Sequence, residues 1–220
     1  MHALGLPPGP LHVLCLGAHP DDIEIGCGGT LLHLAETRPG LSVTWLVFTG
    51  SDSRAAEARS SAGRLLGPQI RVDARVERFR DGYLPSQSAQ VKDVFERLKS
   101  EVRPDLVFTH ALEDRHQDHR LLAELTWNTF RDHLILEYEV PKYDGDLGRP
   151  NVYVPLAAAL CERKVAHLLE AFPSQREKRW FRRETFLALL HLRGVEAGAP
   201  EGAAEAFTGR KVLLRGRGPE

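Results

Sequence analysis

Short apolar runs alternate with segments of helical periodicity along roughly the first two thirds of the chain. Buried strands are predicted at 11–16, 42–48, 105–109 and 134–140, with a shorter strand near 75–79. Strands that alternate with helices in this way form a mostly parallel sheet with helices on both faces, the α/β class. Ligands of such sheets bind beyond the carboxyl ends of the strands. The alternation therefore predicts the fold class and the edge at which a functional site lies.

The whole chain, 1–220, is predicted to form one domain, since neither an internal repeat nor a dividing linker is visible. Its first ten residues form an irregular lead-in, and a helical and tail region at 160–220 packs on the sheet. The predicted helices lie at about 28–36, 54–66, 88–102, 119–130, 162–172 and 176–192. A final strand is predicted at 211–214.

Composition narrows the classes of partner. A formal net charge of −1 argues against general attraction to nucleic acid or to anionic membranes. No apolar run is long enough for membrane insertion, and the first ten residues lack the features of a signal peptide. Three cysteines without a close-spaced pair argue against a disulfide framework. We therefore expect a cytoplasmic protein. Cys27, beside a polar loop, is either a buried core residue, the favoured interpretation, or a metal ligand.

A polar cluster follows the first strand. His19, Asp21, Asp22 and Glu24 crowd a strand-to-helix turn, and a buried polar cluster is costly unless a metal ion or another partner compensates it. His19 and Asp22 lie three residues apart across a proline-stiffened turn, so both side chains can point at one ion. The alternative is an ordinary turn and capping sequence, since Asp and Pro favour turns.

A second cluster, at 110–119, follows the fourth strand, and a histidine from it would complete a three-ligand site. Two nitrogens and one oxygen fit Zn²⁺ with an open position for water, although Fe²⁺ or Co²⁺ could occupy the same ligands. Zinc lowers the pKa of such a water to about 7. Asp21 could act as general base, and a second imidazole, oriented by Asp118, could stabilise the developing oxyanion. The alternative is a solvated helix start capped by Asp118.

Arg54 follows the second strand and belongs near the same edge of the sheet. It could hold a substrate hydroxyl, phosphate or carboxylate, or it could pair with Glu57 at helical spacing on the surface.

These motifs resemble those of the LmbE/PIG-L family of zinc-dependent N-deacetylases. Ala-His-Pro-Asp-Asp at 18–22 is similar to the family's opening motif, and His-Gln-Asp-His-Arg at 116–120 to its second motif. Segments 54–57, 80–84 and 103–110 also fit. The resemblance covers about residues 11–190 and implies a Rossmann-like fold, a GlcNAc-type amino sugar as the small-molecule substrate, and hydrolysis of its N-acetyl group.

The resemblance also implies roles for individual residues. His19, Asp22 and His119 would bind zinc, and Asp21 would be the general base. His116 would stabilise the oxyanion with Asp118 behind it, and Arg54 would contact the substrate. Ile23 stands where many members have Glu, and Gln117 replaces the usual Pro, while the ligand positions are intact. The turn before Arg54 is shorter than in members with an inserted Gly-rich loop, which leaves the placement of Arg54 open.

The segment 137–151 resembles a bacterial subgroup of unsettled substrate. Lys142, Tyr143 and Arg149 could meet a sugar or phosphate there, or the loop could be a structural lid or a subunit contact. Family analogy also suggests a homo-oligomer. Two alternative functions stay open: an amidase for another sugar-linked or thiol-conjugate amide, and a non-catalytic protein that binds a sugar or nucleotide sugar.

Overall fold

The structure, a computed structural model, describes residues 5–6 and 8–213. Over these residues the strands are Leu11–Gly17 (β1), Leu41–Thr49 (β2), Arg71–Phe79 (β3), Leu106–His110 (β4), Leu134–Tyr138 (β5), Val152–Pro155 (β6) and Ala204–Thr208 (β7). The α-helices are Asp22–Thr37 (α1), Asp52–Leu66 (α2), Ser88–Glu101 (α3), Gln117–Thr129 (α4), Ala158–Ala171 (α5) and Arg183–Ala197 (α6). Within this described part of the chain, no helix is both long and apolar enough to cross a bilayer.

The strands form one sheet in the order β3-β2-β1-β4-β5-β7-β6. β1 to β5 pair in parallel, whereas β7 runs antiparallel to both β5 and β6. The predicted α/β class with a mostly parallel sheet is confirmed. From β1 the chain proceeds to β2 and β3 on one side and then to β4 and β5 on the other. This reversal opens a crevice at the carboxyl ends of β1 and β4, where ligands of such folds bind.

The two faces of β1 belong to two different hydrophobic layers. Val13 and Cys15 pack in the layer formed with α1, α2, α5 and α6, while Leu14 and Leu16 pack in the layer formed with α3 and α4. All four side chains are fully buried. Burial on both faces explains why 13–16 read as a continuous apolar run rather than an alternating one.

Helix α1 begins at Asp22, six residues before the predicted start near Gly28. The prediction was wrong because glycines are poor helix formers and tertiary packing overrides that preference here. A Cβ at Gly26 would lie 2.8 Å from Cε2 of Tyr138 and closer still to two other atoms of its ring. A Cβ at Gly29 would lie 2.5 Å from a methyl of Leu156. The glycines let α1 approach β5 and the C-terminal half of the chain, and they place Asp22 in the first helical turn.

The C-terminal third departs most from expectation. The last strand is β7 at Ala204–Thr208, whereas 211–213 lie outside any strand and Leu214 lies outside the described residues. β6 was not predicted, and α6 begins at Arg183 rather than 176. β7 lacks a strand-like apolar pattern because Glu205, one of its inward residues, is buried and accepts the amide hydrogens of Gly29 and Thr30 in α1.

Candidate active site

Three predicted ligand atoms form a compact triangle at the crevice. His19 Nδ1 lies 3.1 Å from His119 Nε2, and Asp22 Oδ2 lies 3.4 Å and 3.5 Å from these two nitrogens. Ligands about 2.0–2.1 Å from a tetrahedral zinc ion are about 3.3 Å from one another. The turn after β1, the first turn of α1 and the first turn of α4 supply the three side chains, all buried. The spacing and the donor types therefore fit one divalent ion.

Carboxylates face the outer nitrogens of both imidazoles. His119 Nδ1 lies 2.8 Å from Asp114 Oδ2, which leaves Nε2 for the triangle. His19 Nε2 lies 3.1 Å from Asp81 Oδ1 and 3.4 Å from Asp118 Oδ2, which leaves Nδ1. Carboxylates in this position fix the tautomer and orientation of a metal-binding histidine and raise its basicity.

The charges at the triangle favour a cation. Burial works against protonation of His19, yet Asp22 and Asp118 raise its pKa well above 6.5. Burial and the neighbouring His110 lower the pKa of His119 to about 3, which keeps that ring neutral, as a metal ligand must be. Burial would raise the pKa of Asp22, but the imidazoles of His119 and His110 hold it well below its usual value. The carboxylates around the triangle thus make the site negative, and a bound divalent ion would neutralise that charge.

Asp21 has a strained backbone. Its φ of 142° is the only positive φ of a non-glycine residue within the described ranges. Such conformations cost of order 1–3 kcal/mol and concentrate at functional sites. Its carboxylate is buried and accepts a hydrogen bond from Arg54 Nη2 at 3.1 Å. Burial and the charge of Asp22 raise the pKa of Asp21 to about 7, with Arg54 opposing the rise. A pKa near neutrality suits a group that accepts and returns a proton.

His116 is the N-cap residue of α4, and its partly exposed ring lies beside the triangle. The ring centroid is 4.8 Å from that of His19 and 4.6 Å from that of His119. Its Nδ1 accepts from the backbone N–H of Asp118 at 3.3 Å. Burial, followed by the charge of His19, lowers the pKa of His116. The ring is therefore placed to meet a group bound at the crevice.

Asp118 contacts a different partner from the one expected. Its buried carboxylate accepts the amide hydrogens of Gly82 at 2.8 Å and Leu84 at 3.0 Å, and it faces His19. It therefore does not lie behind the His116 ring as expected, because both of its oxygens hold the 80–84 turn against α4. This contact brings Asp81 of the same turn to the triangle.

Sequence reasoning did not assign Asp81, Asp114 or His110 a role at the site. Asp81, whose side chain is half exposed, lies 3.7 Å from Arg54 Nη1 and faces His19. His110 Nε2 accepts from the amide of Ala18 and lies 3.3 Å from Asp22 Oδ2. The sequence offered one indication for these three residues: Asp81 belongs to the 80–84 motif, and Asp114 and His110 belong to the 110–119 cluster.

The loop residues predicted to bind substrate occupy different environments. Lys142 Nζ donates to Asp114 at 3.0 Å and to Asp146 at 2.7 Å. Tyr143 is 71% exposed, and Arg149 is also exposed. Lys142 and Arg149 line a cavity of about 270 Å³ beside Asp114. The structure thus brings Lys142 to the site through Asp114 and places Tyr143 on the outer surface. Cys27 is a core residue whose thiol donates to the carbonyl of Ile23.

Fold and site together define an α/β protein with a candidate metal centre at the carboxyl edge of its sheet. Residues 14–130, more than half of the chain, match the PIG-L family model, described as GlcNAc-PI de-N-acetylase. The chain belongs to the PIG-L family of de-N-acetylases.

Three individual proteins illustrate the similarity. The chain is 31% identical over 139 residues to the uncharacterized deacetylase YaiS of Escherichia coli (strain K12), a match that covers 59% of this chain and 74% of YaiS. Its fold matches the conserved protein TT1542 of Thermus thermophilus with a TM-score of 0.71, 26% identity and coverage of 93% and 97%. It also matches N,N'-diacetylchitobiose deacetylase of Pyrococcus horikoshii with a TM-score of 0.67, 24% identity and coverage of 90% and 83%. The last likeness concerns the fold alone.

Proposed function

We propose that this protein is a metal-dependent hydrolase that removes the N-acetyl group from a GlcNAc-type amino sugar or its conjugate. The observation that carries the proposal is the triangle of His19, Asp22 and His119 donor atoms, 3.1 to 3.5 Å apart, with Asp21 adjacent. Membership of a de-N-acetylase family and the deacetylase names of YaiS and the diacetylchitobiose enzyme support it.

His19, Asp22 and His119 would hold Zn²⁺, with Fe²⁺ or Co²⁺ as alternatives for the same donors. Such an ion supplies Lewis acidity and makes water available as a nucleophile near neutral pH. Asp114 bonds the outer nitrogen of His119 at 2.8 Å, and Asp81 lies 3.1 Å from the outer nitrogen of His19, so both imidazoles would present their other nitrogen to the ion.

Asp21 is the proposed base. It takes a proton from the attacking water as the water oxygen bonds to the acetyl carbonyl carbon. It returns that proton to the sugar nitrogen as the C–N bond breaks, so that acetate and a free amine leave. Arg54 holds the carboxylate in place at 3.1 Å, which keeps Asp21 positioned both to accept and to donate the proton. His116 would donate to the carbonyl oxygen as negative charge develops there.

Sugar recognition is assigned to the polar groups at the rim. Arg54 and the half-exposed Asp81, whose charged groups lie 3.7 Å apart, can bond sugar hydroxyls. Tyr143 and Arg149 are exposed on the 141–151 loop, where they can meet a larger aglycone or a phosphate.

The test is a deacetylation screen. The chain, loaded in turn with zinc, iron(II) or cobalt, is assayed for acetate release from free, phosphorylated, lipid-linked and nucleotide-linked GlcNAc. Asp21→Asn should retain metal and lose roughly 10²- to 10⁴-fold in rate, the range of general acid–base catalysis. His119→Ala should lose metal and activity together. A His119→Ala protein that keeps both would refute the proposal.

The screen also separates the alternatives. Release of a larger acyl group in preference to acetate would favour an amidase. Sugar binding without turnover, unaffected by Asp21→Asn, would favour a non-catalytic binding protein. The proposal includes a cytoplasmic location and a homo-oligomeric state, which cell fractionation and light scattering test directly.

A further inference from the structure

Lys142 lies at the centre of a buried chain of charges. Its ammonium donates to Asp146 Oδ1 and Oδ2 at 2.9 and 2.7 Å, and it lies 3.0 Å from each oxygen of Asp114. The side chains of Lys142, Asp114 and Asp146 are only 10%, 5% and 6% exposed. Buried charges at these distances are weakly screened by solvent, so each strongly affects the orientation of the others.

Asp114 connects this charge chain to the two functional imidazoles. Its Oδ2 lies 2.8 Å from His119 Nδ1, and its Oδ1 accepts the backbone N–H of His116 at 2.8 Å. The Lys142 ammonium contacts the same two oxygens from the other side. The plane of the Asp114 carboxylate is therefore fixed by α4 on one side and by the 141–151 loop on the other.

We propose that Lys142 is a positioning residue for the metal centre. By holding the Asp114 carboxylate, it holds the His119 ring with Nε2 directed at Asp22 and His19. The inference rests on the proposed function, in which His119 is a ligand. Without the ammonium, the buried carboxylates of Asp114 and Asp146 would repel one another, and Asp114 would turn from His119.

This role differs from direct contact with substrate. An ammonium has three donor hydrogens, and the two carboxylates around Lys142 accept them. Another anchor of the same loop is Arg193, whose guanidinium donates to Glu139 at 2.6 and 2.8 Å and to the carbonyl of Gly148 at 3.2 Å. Arg193 holds the loop without a contact to Asp114, and it therefore supplies a matched control.

The test is the zinc affinity of the full chain, measured by competition with a chromogenic chelator below the melting temperature of every variant. Lys142→Met should weaken zinc binding about tenfold and Asp114→Asn roughly 10- to 100-fold, the range for partners of metal-binding histidines. Lys142→Arg, whose fork can bond two carboxylates, should restore the affinity to within about threefold of wild type. Arg193→Met should change it by less than about threefold.

Two results would overturn the inference. One is a Lys142→Met protein with wild-type zinc affinity and a raised KM, which would make Lys142 a substrate contact. The other is equal weakening by Lys142→Met and Arg193→Met, which would reduce the effect to loop anchoring. If Lys142→Met does not fold, Lys142→Gln removes the same charge and carries the same expectation. A wild-type chain that binds zinc but releases no acetate would defeat the proposed function, while the affinity comparison would still decide the role of Lys142.

Discussion

Replacing Gly26 with alanine should destabilise the protein although it improves helix propensity. The added Cβ would lie 2.8 Å from Cε2 of Tyr138 and closer to the base of the ring, which is fully buried and cannot swing aside. The Tyr138 hydroxyl donates to the carbonyl of Leu16 at 2.7 Å, and this hydrogen bond fixes the opposite end of the ring. Overpacking costs about 1–3 kcal/mol, and the gain in helix propensity is about 1 kcal/mol. With the clash at the upper end of that range, the net loss is about 2 kcal/mol.

Gly28 is the matched control because it lies in the same helix, two residues further on. A Cβ there would meet Leu65 and Lys164 at 3.7 Å, an ordinary van der Waals distance. Gly28→Ala should therefore gain up to about 1 kcal/mol from helix propensity. For a chain of this size, thermal unfolding followed by circular dichroism should give a melting temperature lower by about 4–8 °C for Gly26→Ala and higher by about 2–4 °C for Gly28→Ala.

A melting temperature of Gly26→Ala equal to or above that of Gly28→Ala would refute this reasoning. A second check removes the ring. In a Tyr138→Ala background the steric cost should disappear, so that Gly26→Ala becomes neutral or stabilising relative to its parent. If the cost of Gly26→Ala persists there, it has another origin than the contact with Tyr138.

Three further predictions concern buried charge, pH and metal. Lys164→Met should lower the free energy of unfolding, measured in urea, by about 3 kcal/mol, because the Glu205 carboxylate, 2.6 Å from the ammonium, would stay buried without its counter-charge. A loss below about 1 kcal/mol would contradict this. Burial, followed by the charge of nearby arginines, lowers the pKa of His167 to about 4, whereas the unfolded value is about 6.5. Between these values the unfolded chain binds a proton that the folded chain does not, so stability should fall as the pH drops from about 6.5 to about 4. His167→Gln should flatten that acid limb, and an unchanged slope would exclude His167 as its source. Zinc at one hundred times its dissociation constant should stabilise the fold by about 2.7 kcal/mol, and a chelator or His119→Ala should remove the gain in melting temperature.

The sheet was predictable because its central strands carry their own signal. β1, β2 and β4 are buried on both faces, so each reads as a mostly apolar segment. The start of α1 and the position of β7 carry no such signal. Both depend on residues far apart in sequence: Gly26 against Tyr138, and Glu205 against the amides of α1. Helix and strand propensities depend on neighbouring residues in sequence, so they cannot predict such long-range contacts.

The candidate ligands came together because both polar clusters follow parallel strands and hence leave the sheet at the same edge. The sequence could not show which carboxylate meets which imidazole. Asp114 faces His119 and Asp118 faces His19. This pairing follows from the path of the 110–119 segment and from the amides of the 80–84 turn, which bind Asp118. The positive φ of Asp21 was equally invisible, since aspartate adopts it only where surrounding contacts impose it.

The contact between Glu205 and α1 also has a consequence for biosynthesis. Glu205 bonds the amide of Gly29, which precedes it by 176 residues. At about 5–20 residues per second, α1 leaves the ribosome roughly 9–35 s before its carboxylate partner is made. His119 joins His19 after 100 residues, so the ligand triangle can assemble first. The helix that carries Asp22 gains its buried hydrogen bonds to Glu205 only later, and a nascent chain stalled in between would present an incompletely packed site. Stable metal loading is therefore expected to follow synthesis of β7.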